Sequence, residues 1–239
     1  MIRAVLAAML VAAVAPKTGK AHKVLHPETA EEYLTLSNAQ LQLGKFADAE
    51  KTARAGLLKH PDSQGFHLLL GEIYAGREKP ADAFYEYQWE ILRAGGAAPS
   101  GKTAADKIGD LLQNARGTGA DEMRKVAEAI VATRTDPPTA LKLLGQVYDE
   151  RGGIFVLRLL LAEANVEAGN ASKAESLYRG LISDDERFVP AYVELANLLK
   201  GQGKTKEADS LVKKAKEIDP DSWALAPEPT PEPSPSASP

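Results

Sequence analysis

Residues 95–103 read Gly-Gly-Ala-Ala-Pro-Ser-Gly-Lys-Thr, and they contain the spacing Gly96, four residues, Gly101-Lys102-Thr103. That is the phosphate-loop pattern, in which backbone N–H groups cradle phosphates and the lysine reaches the terminal ones. The chemistry needs a buried strand ahead of the first glycine. Here the preceding residues 85–94, "YEYQWEILRA", interleave charge with apolar side chains at helical spacing. No second strand ending in Asp supplies a magnesium ligand. The motif therefore reads as an accidental spelling in a Gly/Ala/Pro/Ser linker, and no cofactor is expected.

Other reactive residue types are sparse. The four histidines are His22, His26, His60 and His67. His22 and His26 precede Pro27 in a segment without helical pattern, His60 stands before Pro61, and His67 falls at a core position. A copper-binding histidine brace starting at His22 would need a β-sandwich, which this chain does not encode. There is no Cys, which excludes a thiol nucleophile, a disulfide and a lipid-attachment cysteine. Paired acids such as Glu31-Glu32 and Asp184-Asp185 suit helix ends better than acid–base catalysis. The chain is expected to have no enzymatic activity.

The elements that position these residues begin with an internal repeat. Residues 44–61, "GKFADAEKTARAGLLKHP", align with 203–220, "GKTKEADSLVKKAKEIDP". Ala49 and Ala83 are 34 apart, and Ala140, Ala174 and Ala208 follow one another at 34. Each helical segment shows apolar residues on one stripe, such as Leu34, Leu36, Leu41 and Leu43. Small residues recur where two helices would meet. Thr29-x-x-Glu32 is a capping box opening the first helix. Pro80 and Pro137 suit the first turn of a helix, where the missing N–H costs nothing.

This pattern, with Leu70-Gly71-x-x-Tyr74 as a first-helix signature, resembles the tetratricopeptide repeat family, whose period is 34 residues. The resemblance implies an all-α fold: an α-solenoid of stacked antiparallel helix pairs sharing one core. Repeats fall at 30–63, 64–97, 121–154, 155–188 and 189–222. The third is degenerate, with Arg124, Ala127 and Glu128 where an aromatic, Leu and Gly belong. The insertion 98–120 carries one extra amphipathic helix at about 103–116 near the middle. Either that helix is added to the array or the array changes phase there, because Leu144-Gly145-x-x-Tyr148 repeats the first-helix signature in an expected second helix.

The resemblance also implies a concave groove lined by the first helix of each repeat. Its positions here are Leu34, Asn38 and Leu41; Leu68 and Glu72; Lys125; Val156, Leu159, Glu163 and Val166; and Val193, Asn197 and Lys200. Lys and Asn do not recur together on adjacent repeats, as a chaperone-type carboxylate clamp requires. An apolar groove with scattered acids suits a protein or peptide segment of apolar or basic character. A competing expectation is that the leucines pack on the extra helix.

The ends of the chain set its surroundings. Residues 1–21 run from a basic start, Met1-Ile2-Arg3, through twelve apolar residues to the polar "PKTGKA". That order is a secretory signal, cleaved after Ala15 or Ala21. Twelve residues are too few to cross a bilayer roughly 30 Å thick, so no transmembrane span is expected after its removal. Residues 22–29 form a linker, and 223–239 a Pro/Ser-rich tail with no core-forming side chains beyond its start. A net charge of −4 without a Lys/Arg block gives no footprint for nucleic acid. The expected protein is an exported, periplasmic or secreted interaction scaffold, its oligomeric state left open. The alternatives are a nucleotide-binding protein using Gly96–Thr103 and a glycan-binding accessory subunit of polysaccharide export.

Overall fold

Thr29 opens the first helix as its spacing requires. Its hydroxyl accepts from the Glu32 N–H at 3.2 Å, and the Glu32 carboxylate accepts from the Thr29 N–H at 3.1 Å. The computed structural model describes residues 26–225 apart from 118 and 153. The expected signal at 1–21 and the proline-rich run 226–239 lie outside the described residues, as does His22.

Eleven α-helices follow among the described residues, without a strand. They are α1 (Ala30–Gln42), α2 (Phe46–Lys59), α3 (Phe66–Gly76), α4 (Pro80–Ala94) and α5 (Pro99–Asn114). Then come α6 (Ala120–Thr135), α7 (Pro137–Arg151), α8 (Phe155–Glu167), α9 (Ala171–Asp184), α10 (Val189–Gly201) and α11 (Thr205–Ile218). A short 3₁₀ turn, Trp223–Leu225, ends the described chain. Pro80 and Pro137 each start a helix, and Asp136 caps α7 by accepting from the Thr139 N–H. The architecture is an all-α solenoid.

Helices pair as α1/α2, α3/α4, α6/α7, α8/α9 and α10/α11. The five alanines set 34 apart or in the same register mark the crossings: Ala49, Ala83, Ala140 and Ala174 are 0% exposed and Ala208 is 3%. The glycine five residues before each alanine has its own cause. Gly44, Gly169 and Gly203 take φ between 69° and 78°, a left-handed turn that reverses the chain between paired helices. Glu78 holds the same place before Ala83 with φ 58°, the single non-glycine with positive φ among the described residues. The α6/α7 joint instead uses the Asp136 cap. The degenerate third pair is thus joined by different turn chemistry.

The middle of the chain resolves the phase. Helix α5 begins four residues earlier than the pattern suggested and packs on both α4 and α3. It takes the place of a third first-helix beside α1 and α3, and the next pair then starts afresh with α6. The signature repeated in α7 does not carry the same packing. Gly71 exists because the Tyr87 ring lies where a Cβ would be, whereas Gly145 faces open space.

Helix α4 is the pivot. It touches α3, α5, α6 and α8, and its Ala83, Phe84, Tyr85 and Tyr87 enter the largest core cluster with Met123, Val126, Leu144 and Leu157. At its C-terminal end Trp89 stacks on Phe188 with centroids 5.2 Å apart and meets Phe155 edge-on at 4.4 Å. Arg93 lies over Trp89 and pairs with Asp185, while Arg158 lies over Phe155 and reaches Asp184 at 2.5 Å. Arg187 bonds Asp62 at 2.6 Å, and the Trp223 indole donates to the Leu92 carbonyl at 3.0 Å. These contacts span up to 131 residues of sequence and tie the segments flanking the last helix pair to α4 and the loop before α3.

Candidate peptide-binding groove

Three helices placed side by side, α1, α3 and α5, make a continuous furrow, because α3 touches both of the others. A hollow of about 270 Å³ between α1 and α3 is lined by Leu34, Thr35, Asn38, Gly65, Leu68, Leu69 and Glu72. It shares Glu72 with a second hollow of about 520 Å³ that Leu41, Ala75, Tyr87, Lys107, Asp110 and Leu111 surround. Leu111 and Ala115 carry the furrow on into a third, of about 430 Å³, beside Glu78 and Arg116. Leu34, Leu41, Leu68 and Leu111 are half-buried, so each keeps an apolar edge toward the furrow. Glu72 receives the Lys107 ammonium at 3.2 Å, an ion pair bridging α3 and α5.

Of the residues expected in the groove, Leu34, Asn38, Leu41, Leu68 and Glu72 come together here. Lys125 is exposed, but on α6, and lines none of these hollows. Val156 and Leu159 depart from expectation: they are 3% and 1% exposed and offer a partner no surface. The cause is long-range packing. Trp89 and Leu92 of α4 pack on the cluster that contains Leu159, so the chain has covered this stretch itself. Glu163 is half-buried, Val166 exposed, Val193 half-buried against Ala215 and Tyr192, and Asn197 and Lys200 exposed.

The expectation that groove leucines pack on the extra helix is met in part. Leu68, Ala75, Leu111 and Leu112 all abut the central cluster containing Ile108 of α5. Lys107, Asp110 and Leu111 were not anticipated as groove residues. The insertion signalled a helix, but nothing in its periodicity signalled that it stands beside α3.

Electrostatics single out Glu163. Burial first, then the neighbouring Glu194, raise its carboxyl to about pH 7, Arg134 opposing and Glu167 adding. Tyr178 beneath is pushed well above its ordinary value by burial and by the same carboxylates. Elsewhere Tyr74 is raised to about 12 by burial and by its hydrogen bond to Glu50 at 2.6 Å, part of a network joining α2 and α3.

The phosphate-loop spelling has a packing explanation. Gly101, Lys102 and Thr103 are not linker residues; they form the first turns of α5. Gly101 is buried against the Gly95 carbonyl, which leaves no room for a side chain. The Thr103 hydroxyl donates to the Pro99 carbonyl at 2.9 Å, Lys102 is exposed, and Gly96 faces open space. The element ahead of the loop is helix α4, where phosphate binding of this kind needs a strand. Among the described residues, no three His, Asp or Glu side chains gather as a metal site, and no helix is long and apolar enough to cross a membrane.

A family model described as tetratricopeptide repeat matches residues 34–99, the stretch that runs from α1 into the start of α5. That stretch is similar to tetratricopeptide repeats. No curated protein matches the sequence. Among solved structures, YrrB, described as a tetratricopeptide-repeat protein with an unusual peptide-binding site, is 15% identical at a TM-score of 0.39, covering 82% of this chain and 89% of its own. MamA is 19% identical at 0.37, covering 84% and 99%. A tetratricopeptide repeat protein from Parabacteroides merdae is 14% identical at 0.40, covering 85% and 84%. Identities and scores this low transfer no property. The consensus aromatic of the tetratricopeptide first helix is buried as Tyr33, His67 and Tyr192. Its replacement Arg158 instead caps the Phe155 ring.

Proposed function

We propose that the protein is an exported, non-catalytic scaffold that holds a partner segment in the α1–α3–α5 furrow, in assembly or export of envelope components. A tetratricopeptide array suggests a protein-interaction role in general, and the observation that carries the finer reading is the furrow itself. It has an apolar floor at Leu34, Leu41, Leu68 and Leu111 and carboxylates at Glu72 and Asp110. Such a surface favours an apolar or basic segment. Export rests on the basic, apolar, small-residue order of residues 1–21. The glycan-binding alternative finds less support in the furrow: of the aromatics it would use, Tyr33, Tyr74 and Tyr192 are buried and Trp89 is engaged with Phe155 and Phe188.

Two measurements test this. Leu68→Asp places a charge on the furrow floor, whereas Leu58→Asp alters a residue 84% exposed on α2. Partners retained by the wild type from envelope extracts are expected to be lost with Leu68→Asp and kept with Leu58→Asp. N-terminal sequencing of native protein should find residues 1–21 absent. An intact Met1 in cytosolic protein would remove the exported reading.

A further inference from the structure

Tyr87 is 1% exposed, yet it lines the middle hollow of the furrow. Its ring is wedged against Gly71, which fixes it in place. Its hydroxyl makes no hydrogen bond to another described residue, which leaves it free for a ligand entering the hollow. Two carboxylates stand near it: Glu72 and Asp110 both act on the hydroxyl and, with burial, push its proton affinity up. Glu72 is already met by Lys107. The Asp110 carboxylate, exposed at the rim, has no ion pair among the described residues. The walls between these acceptors are Leu41, Ala75 and Leu111.

A phenol and two carboxylates around one hollow with apolar walls match one side chain better than any other. A guanidinium is planar, carries five N–H donors and is weakly hydrated, and its three-carbon stem packs on apolar walls. Lysine would bring a single point charge, which Lys107 already supplies to Glu72. We propose that the hollow around Tyr87, Glu72 and Asp110 is a socket for one arginine side chain of the partner segment, with an apolar side chain of the same segment in the adjoining Leu34–Leu68 hollow. This rests on the furrow being the working face and adds the identity of the anchor. Asp110 is the charged partner, Glu72 is shared with Lys107, and the Tyr87 hydroxyl accepts one N–H from below.

The probe is an array of immobilised random peptides screened with the full chain. The sequences retained are then resynthesised with arginine replaced by citrulline, which keeps the shape and removes the charge. The expected result is enrichment of peptides pairing arginine with a nearby apolar residue, and a loss of about tenfold or more on the citrulline exchange. Asp110→Asn should abolish that preference, and Tyr87→Phe should reduce it with helicity unchanged. Peptides that depend on Leu68 but not on arginine would overturn the socket and leave the furrow standing. An arginine preference that survives both Asp110→Asn and Tyr87→Phe would also overturn it. Retention indifferent to Leu68→Asp, or no retention at all, would overturn the furrow and the socket together.

Discussion

The two halves of the array use equivalent helix faces in opposite ways. In the first half, the faces of α1 and α3 meet α5 at their flank and leave an open furrow between Leu34, Leu41, Leu68 and Leu111. In the second, the corresponding stretch of α8, Val156 and Leu159, is buried in core clusters against which Trp89 and Leu92 of α4 pack. The same periodic stripe is therefore a surface in one place and a core in the other. What separates them is a contact made 66 or more residues away, where Trp89 joins Phe155 and Phe188. A repeat array is held mainly by neighbouring units. This one adds a clasp between units that are not neighbours, and the clasp decides which face stays free.

Breaking the clasp should have the largest effect. Trp89→Ala removes the ring that stacks on Phe188 and meets Phe155, and a large-to-small change of this kind costs about 3 kcal/mol. Chemical denaturation should show the loss, and α8–α10 should become more open to hydrogen exchange while α1–α2 is little affected; α3 touches the same ring through His67 at 5.4 Å. If both halves loosened equally, the clasp would not be what divides them.

Ala174→Leu comes next. Ala174 is fully buried where α8 and α9 cross, and three added carbons in a packed contact cost about 1–3 kcal/mol. Thermal melts followed by circular dichroism read this directly; an unchanged melt would displace the 34-residue register from the helix crossing. Ala83→Leu should behave alike but disturb both halves, because Ala83 belongs to the central cluster shared by α4, α5, α6 and α8.

The Glu163 carboxyl adds a pH dependence confined to the second half. Its folded value is raised to about 7 from an ordinary 4.5, so between these values the folded state holds a proton that the unfolded chain has released. Its contribution is greatest below pH 4.5 and is lost as pH rises through 7, by roughly 3 kcal/mol. Glu163→Gln should flatten that slope in denaturation measured across this window. A slope unchanged by Glu163→Gln would assign the effect elsewhere.

The smallest change is a gain. Glu78 occupies a left-handed turn that glycine fills at the equivalent places, Gly44, Gly169 and Gly203. Glu78→Gly should raise stability by about 0.5–1 kcal/mol, less the entropy glycine adds to the unfolded chain. A melting temperature that falls instead would mean the Glu78 side chain is worth more than the backbone relief.

How much of this the sequence discloses depends on whether the cause is local. The cap at Thr29 and the prolines at α4 and α7 follow from neighbours a few residues apart, the alanines follow from their 34-residue spacing, and the structure bears them out. Leu34, Leu41, Leu68 and Glu72 were legible as a face for the same reason. The fate of Val156 and Leu159 was not, since their periodicity is the same whether α4 covers them or water does. Likewise the α5 contribution, Lys107 and Asp110, depends on where an inserted helix docks rather than on its own pattern. Gly101 shows the reverse error: a spelling that suggests phosphate chemistry is set by the close approach of Gly95.

The chain has no cysteine, so single thiols can report on each face without interference. Leu68→Cys and Leu159→Cys, introduced separately, place one on the open furrow and one in the cluster that Trp89 packs against. Labelling rates with a small thiol reagent under native conditions test the division most directly. The account predicts fast labelling at Leu68→Cys and labelling slower by orders of magnitude at Leu159→Cys, which Trp89→Ala then accelerates. Equal rates at the two positions would contradict it.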